Sequence, residues 1–566
     1  MHRNELKYLI SFIDKSNNLF NFDEEAISKN SIWKIYSYLI KSHLDNKLVT
    51  ITSLAHSCGL PRATAIRKIK KLIKKKIIIQ KPRTPTGKTF SLHPSEKLYL
   101  SFTNYLEQTK EHIALSLGYE NKKNNNFYFG TSLLSANIIP KPTQINLNCD
   151  ANEVISILFN DNQTFKIIKR NKKYIENLLG LKLDISLMSN EYLRKELIKN
   201  SILKNSNYDI ICFDVPWTGE IYNNKYLLPL NDLIVDKDFN IKDFHPEGIN
   251  ASSYNNKLYG LPIEQVASIM VYREDIFKQL NLNIPQTISD LFFCLKRIKN
   301  TNLIKYPFAW PGKSGFTLGC HFMEMMGNLG SPIVDLRKIS DSIFETNNLD
   351  SINKKINICN SAGQESIFLL FKIIKYSHPD TLNMSWDEVA ESYSNGEVAI
   401  ANIWSGRSGF FENNILSPAR KKSIYDAKPG GKEGYQTSSI GGYSLGIPSN
   451  IMKKKINLSF SVIKFLVSPS MIKYYVEKGV TTSPLFSVSN DPVVQEVSPS
   501  VLKIDKLQKT GKVNSWSRLP LPEFTKVANI IGNRLNNEFK KNSNIHRTKC
   551  LKIIEEIQNS INSQVY

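Results

Sequence analysis

Asn207-Tyr-Asp-Ile-Ile-Cys-Phe-Asp-Val-Pro-Trp-Thr-Gly-Glu220 decides the reading of most of this 566-residue chain. Its continuous apolar run, closed by a proline and a glycine, predicts a buried strand that runs into a loop. Working outward, Leu227-Leu-Pro-Leu-Asn-Asp-Leu233, Leu258-Tyr-Gly-Leu-Pro-Ile263 and Met270-Val-Tyr-Arg-Glu-Asp-Ile-Phe277 follow it. Further on, Trp386–Ala401 precedes Trp404-Ser-Gly-Arg407, then Gly441-Gly-Tyr-Ser-Leu-Gly-Ile-Pro448 and Phe465-Leu-Val-Ser-Pro469. From about residue 146 onward, short apolar strand candidates alternate with helical segments, the pattern of an α/β domain.

These motifs, in this order and spread over some three quarters of the chain, resemble the carbohydrate-type solute-binding proteins of ABC importers (extracellular solute-binding family 1). The resemblance implies a bilobal α/β, periplasmic-binding-protein-like (type II) fold over residues 146–566. It implies a hinge of crossover segments and a solute, sugar-like, held in the cleft between lobes that close on it. Ligand loops then lie at the carboxyl ends of strands, which places Asp214, Trp217, Glu264, Gln265, Trp310, Trp404, Arg407, Gly442 and Tyr443 near the cleft. A tryptophan can stack on the C–H face of a sugar. Acids, amides and arginines can pair its hydroxyls, since buried polar groups must be paired. For each tryptophan, core packing is the competing reading.

The first part of the chain differs. The 31–45 segment has the apolar spacing of an amphipathic helix. Residues 52–57 form a short helix candidate stopped by Gly59, and Pro61 opens the next helix, which carries Ile66, Ile69, Leu72 and Ile73 on one face. Ile77–Lys81 and Lys88–Leu92 are strand candidates on either side of a proline- and glycine-bearing turn. This block resembles the winged helix-turn-helix of MarR-like regulators. The resemblance implies a small, mainly α, DNA-binding domain over 1–115 that reads double-stranded DNA as a homodimer. Arg62, Thr64, Arg67, Lys68 and Lys71 would lie on the reading helix, with Arg83 and Lys88 on the wing. A protein-docking module is the alternative. Residues 116–145, with Asn121-Lys-Lys-Asn-Asn-Asn126 and Pro140-Lys-Pro142, read as a linker.

Charge supports that division. The formal net charge is +23, and about half of the excess lies in the first 130 residues. No acidic residue falls between Asp45 and Glu96. Such a basic patch is the footprint of a phosphate-backbone binder. No apolar stretch is long enough to span a membrane. The amino-terminal residues show no h-region or cleavage site, and the 7 cysteines are scattered without a C-x-x-C pair. A cytoplasmic location is expected from both.

Catalytic patterns are missing. Pro311-Gly-Lys-Ser314 lacks the earlier glycine of a phosphate loop, Ser405-Gly-Arg407 lacks the nucleophile turn, and no histidine cluster has zinc spacing. No cofactor, metal or enzymatic activity is expected. Asp387-Glu388 reads as a solvated pair. The two halves combine into a one-component cytoplasmic transcriptional regulator that senses a sugar-like solute. The alternative is a solute-binding component associated with an ABC sugar importer, its N-terminal module docking protein.

Overall fold

A computed structural model describes residues 24–45, 47–82, 90–116, 139–145, 152–234, 239–340, 343–346, 355–431, 436–542 and 545–566, with a few isolated positions besides. The chain divides into two units, Met1–Ile138 with Asp491–Glu496, and Ile139–Asn490 with Val497–Tyr566.

The first unit contains α1 (Glu24–Leu44), α2 (Ile51–Ser57), α3 (Arg62–Lys74), β1 (Ile78–Pro82), β2 (Phe90–Pro94) and α4 (Glu96–Ser116). Thr50 caps α2 reciprocally with Ser53, Ser53 N–H to Thr50 Oγ1 at 3.1 Å and Thr50 N–H to Ser53 Oγ at 2.9 Å. Two otherwise unpaired backbone donors are thereby satisfied. Gly59 turns the chain at φ +66°, a conformation that costs glycine little, and α3 begins directly after Pro61. β1 and β2 pair antiparallel with Gln80 opposite Leu92. Ile35, Leu39, Leu54, Ala65, Ile69, Leu92 and Leu106 build the core, and Trp33 stacks on Phe102 with ring centroids 4.9 Å apart.

In the second unit one mixed sheet carries the architecture. Its strands are β3 (Val154–Asn160), β4 (Lys182–Met188), β5 (Ile210–Asp214), β6 (Leu261–Arg273), β7 (Tyr306–Ala309), β8 (Val398–Trp404), β9 (Ser423–Asp426), β10 (Ser438–Gly446) and β11 (Val513–Asn514). The order is β4-β3-β5-β10-β6-β8-β7, with β9 also on β6 and β11 on β10. β3, β4 and β5 run parallel, as helical crossovers require; helix α5 (Gln163–Arg170) follows β3 and α6 (Asn190–Ser201) follows β4.

β6 joins the two lobes. Its first half pairs with β10, as far as Ala267 opposite Ile440. Its second half pairs with β8, starting at Ser268 opposite Trp404, and with β9. One 13-residue strand, every residue buried, therefore belongs to the first lobe up to Ala267 and to the second from Ser268. Burial on both faces explains its near-continuous apolar sequence. In the second lobe, helix α7 (Phe316–Asn328) packs against α9 (Phe524–Lys541), and α8 (Trp386–Ser394) runs into β8. No described helix is long and apolar enough to cross a membrane.

Candidate ligand-binding site

Three neighbouring strands bring one polar residue each to the same place. Tyr443 on β10 stands directly opposite Asp214 on β5 and Glu264 on β6. Directly opposed residues of antiparallel strands share a face, so Asp214, Tyr443 and Glu264 form a lateral row. All three are buried. Asp214 is the last residue of β5, where the sheet of the first lobe ends.

The row is held by helix starts. Asn162, which caps α5 by accepting from Phe165 N–H at 3.1 Å, donates from Nδ2 to Glu264 Oε2 at 2.8 Å. Thr164 Oγ1 donates to Glu264 Oε1 at 2.6 Å. Asn190, the first residue of α6, donates to Asp214 Oδ2 at 3.5 Å and accepts from the Tyr443 hydroxyl at 3.3 Å. The loops after three consecutive parallel strands thus converge at the carboxyl end of the sheet, where open α/β sheets take their ligands.

Two arginines flank the row. Arg518 donates from Nη1 to Asp214 Oδ1 at 3.3 Å and from Nη2 to Oδ2 at 3.1 Å. Its guanidinium lies 5.1 Å from the Trp404 ring, with Phe316 at 5.9 Å and Phe524 at 6.0 Å. Trp404 in turn meets Trp386 edge-on at 6.4 Å. Arg407 donates from Nε to Asp387 Oδ1 at 3.0 Å, and its charge also acts on Glu264. Burial, with a smaller push from the Asp214 charge, raises the Glu264 carboxyl above the usual range, and Thr164, Arg407 and Asn162 offset this only in part. Burial opposes the charge on Arg518, but the Asp214 carboxylate outweighs it and keeps the guanidinium protonated. Burial, reinforced by Asp214, holds the Tyr443 phenol protonated.

Two glycines make the approach possible. Gly442 sits at φ +121° with the Glu264 carbonyl oxygen 2.0 Å from where a Cβ would stand. The register between β10 and β6 slips just beyond it, between Tyr443 and Ser444. Gly219 leaves room for the Pro520 carbonyl, 2.0 Å from its own Cβ position, so the segment carrying Arg518 passes directly behind the end of β5.

The other expected residues lie elsewhere. Trp217 is buried in the turn after β5. Gln265 alternates to the face opposite Glu264 and approaches His245 Nδ1 at 3.3 Å. Trp310 is fully buried in the second lobe, stacks on His321 at 5.0 Å and donates Nε1–H to Ser377 at 2.8 Å. Arg518, Asn162, Thr164, Asn190 and Asp387 were not anticipated as site residues. Asn162 alone carries a local signal, a capping-type residue shortly after the apolar run Val154–Phe159. Among the described residues, no group of three or more His, Cys, Asp or Glu is placed to hold a metal ion.

In the first unit, Arg62, Arg67 and Lys71 are exposed on α3, whereas Thr64 and Lys68 are half-buried and Lys68 Nζ donates to Ser31 Oγ at 3.0 Å. Arg83 and Lys88 lie outside the described residues.

A strand shared by two lobes and a polar, aromatic site at strand ends define a two-lobed binding protein. Residues 188–472 match the family profile of the bacterial extracellular solute-binding proteins, and the chain belongs to that family. A probable ABC transporter-binding protein of Deinococcus radiodurans is 22% identical over 280 residues, covering 46% of this chain and 59% of that protein. The mannitol-binding protein of Pseudomonas aeruginosa is 24% identical over 160 residues, 28% of this chain and 36% of that one. The match spans three fifths or less of the length of these relatives. Solved structures share the bilobal fold. An ABC transporter solute-binding protein from Agrobacterium radiobacter, in complex with ribitol, has a TM-score of 0.63 at 19% identity, covering 72% of this chain and 98% of that one. One from Agrobacterium vitis with bound D-mannitol has a TM-score of 0.60 at 16% identity, covering 73% and 99%.

These relationships correct the regulator reading. A DNA-binding, cytoplasmic transcription factor is not what this family is; its members are described as extracellular and its relatives as ABC transporter-binding proteins. The basic patch misled for a physical reason. A run of cations sets a local potential but names no partner, and exposed Arg62, Arg67 and Lys71 are equally satisfied as a solvated helix face. The homodimer rested on paired DNA half-sites and loses its ground with the DNA.

Proposed function

We propose that this chain is the solute-binding component of an ABC importer for a sugar or sugar-like solute, which it holds between the lobes of its second unit without turning it over. The observation that supports this best is the Asp214–Tyr443–Glu264 row beside the Trp404 ring. Trp404 offers an apolar face and the row a set of hydrogen-bonding groups, the combination that orients a polyhydroxylated ligand. Family membership and a relative named for mannitol favour the same class. The site residues proposed are Asp214, Glu264, Tyr443, Trp404 and Arg407, with Trp217, Gln265 and Gly442 supporting from behind. The first unit, its helix pair and hairpin read as winged-helix-like, docks protein.

Calorimetric titration of the full chain with monosaccharides, polyols and oligosaccharides tests the reading. At least one should bind, and Trp404→Ala should weaken it by about 2 kcal/mol, the scale of a lost aromatic contact. Binding of a different solute class and of no sugar or polyol overturns it. For the first unit, deleting residues 1–116 should abolish co-purification with the transporter's membrane components; retained co-purification would show docking elsewhere.

A further inference from the structure

The site's hydrogen-bonding capacity is unevenly spent. Each carboxylate oxygen of the row already holds a donor: both Asp214 oxygens receive Arg518, one of them also Asn190, and the two Glu264 oxygens receive Thr164 and Asn162. The arginine donors are not all used. A guanidinium carries five N–H bonds in a rigid fork. Arg518 spends two on Asp214, and its buried Nε has no partner. Arg407 spends one, on an Asp387 whose side chain is 60% exposed.

A buried N–H without an acceptor is costly, so a ligand that supplies an acceptor to it is favoured. A neutral sugar hydroxyl answers this less well, since each one that accepts also brings a proton of its own, for which the row's carboxylate oxygens, each already holding a donor, offer only a second, shared hydrogen bond. An anionic group is acceptor-only, and carboxylate and phosphate both match the guanidinium fork. Resting on the sugar-binding reading above, we infer that the solute is an acidic sugar whose carboxylate or phosphate is read by Arg518 and Arg407.

The test uses the full chain with gluco, galacto and manno series of hexose, hexuronate and hexose 6-phosphate, titrated by calorimetry. In at least one series an anionic member should bind about tenfold or more tighter than the neutral hexose, a factor worth 1.4 kcal/mol. A uronate preference assigns a carboxylate and a 6-phosphate preference a phosphate. Arg407→Gln and Arg518→Gln should each collapse that ratio towards one. Arg407, the less deeply buried, carries the test if the Arg518 variant does not fold. Neutral hexoses binding as tightly as both anions would overturn the inference and leave the sugar reading standing, as would a preference that survives both substitutions. Failure of every member of the panel would overturn the inference, and failure of the polyols and oligosaccharides as well would overturn the sugar reading with it.

Discussion

Gly442 and Glu264 meet backbone to backbone, and each makes a prediction of its own. At φ +121°, with a carbonyl oxygen 2.0 Å from the position of a Cβ, no side chain fits. Gly442→Ala should destabilise the second unit by about 2–3 kcal/mol, read by chemical denaturation, and should weaken solute binding, because the register slip beside it places Tyr443. A fully stable variant would show that β10 shifts freely. Glu264 holds its proton more tightly in the buried site than in an unfolded chain. Its ionisation therefore costs stability as pH rises through its folded pKa, and that cost is absent below the unfolded value of about 4.3. Glu264→Gln, a neutral isostere, should melt like the parent near pH 4 and above it at pH 8. Lower stability at pH 8 would show that the ionised form, hydrogen-bonded to Asn162 and Thr164 and within the field of Arg407, is the one the fold requires. Asp214 and Glu264 were legible in the sequence because each lies at or near a strand end flanked by turn residues. Arg518 was not, because it reaches Asp214 across 304 positions, and no local pattern marks an arginine for such a contact.

At the scale of elements, α7 and α9 cross with their backbones in close approach. A Cβ on Gly319 would stand 1.9 Å from the Ala528 carbonyl oxygen, and one on Gly532 would stand 1.8 Å from that of Gly315. Both obstacles are backbone, so no side-chain rotation relieves them. Gly532→Ala should force the helices apart and cost about 3 kcal/mol, measured as a drop in denaturation midpoint. It should also lower solute affinity, because α7 and α9 carry Phe316 and Phe524 against Arg518. Elements themselves read well from local pattern. The strand expected at 77–81 runs Ile78–Pro82, and the buried strand expected within 207–220 is β5. Trp310 reads less well: a tryptophan after a strand suits a ligand platform or a core equally, and only the stack on His321 shows which contact it makes. Asp387, read as solvated from its exposed helix, turns out to hold Arg407.

For the whole molecule, the uneven charge marked a real division of the chain without naming its role. The first unit is small and cationic, and the second carries the sheet, the site and the family match. If the units fold independently, heating the full chain should give two calorimetric transitions rather than one. A solute that binds only the folded second unit stabilises it by RT ln(1 + [L]/Kd), about 2.7 kcal/mol at a hundredfold excess over Kd. The second unit's transition should therefore move up with solute while the other stays in place, and Trp404→Ala should abolish the movement. The same titration should lower the radius of gyration in solution scattering, because β6 gives the lobes a single shared strand about which to close. Two transitions rising together would mean that solute binding is coupled to the first unit, and a docking module would then be reporting the occupancy of the site.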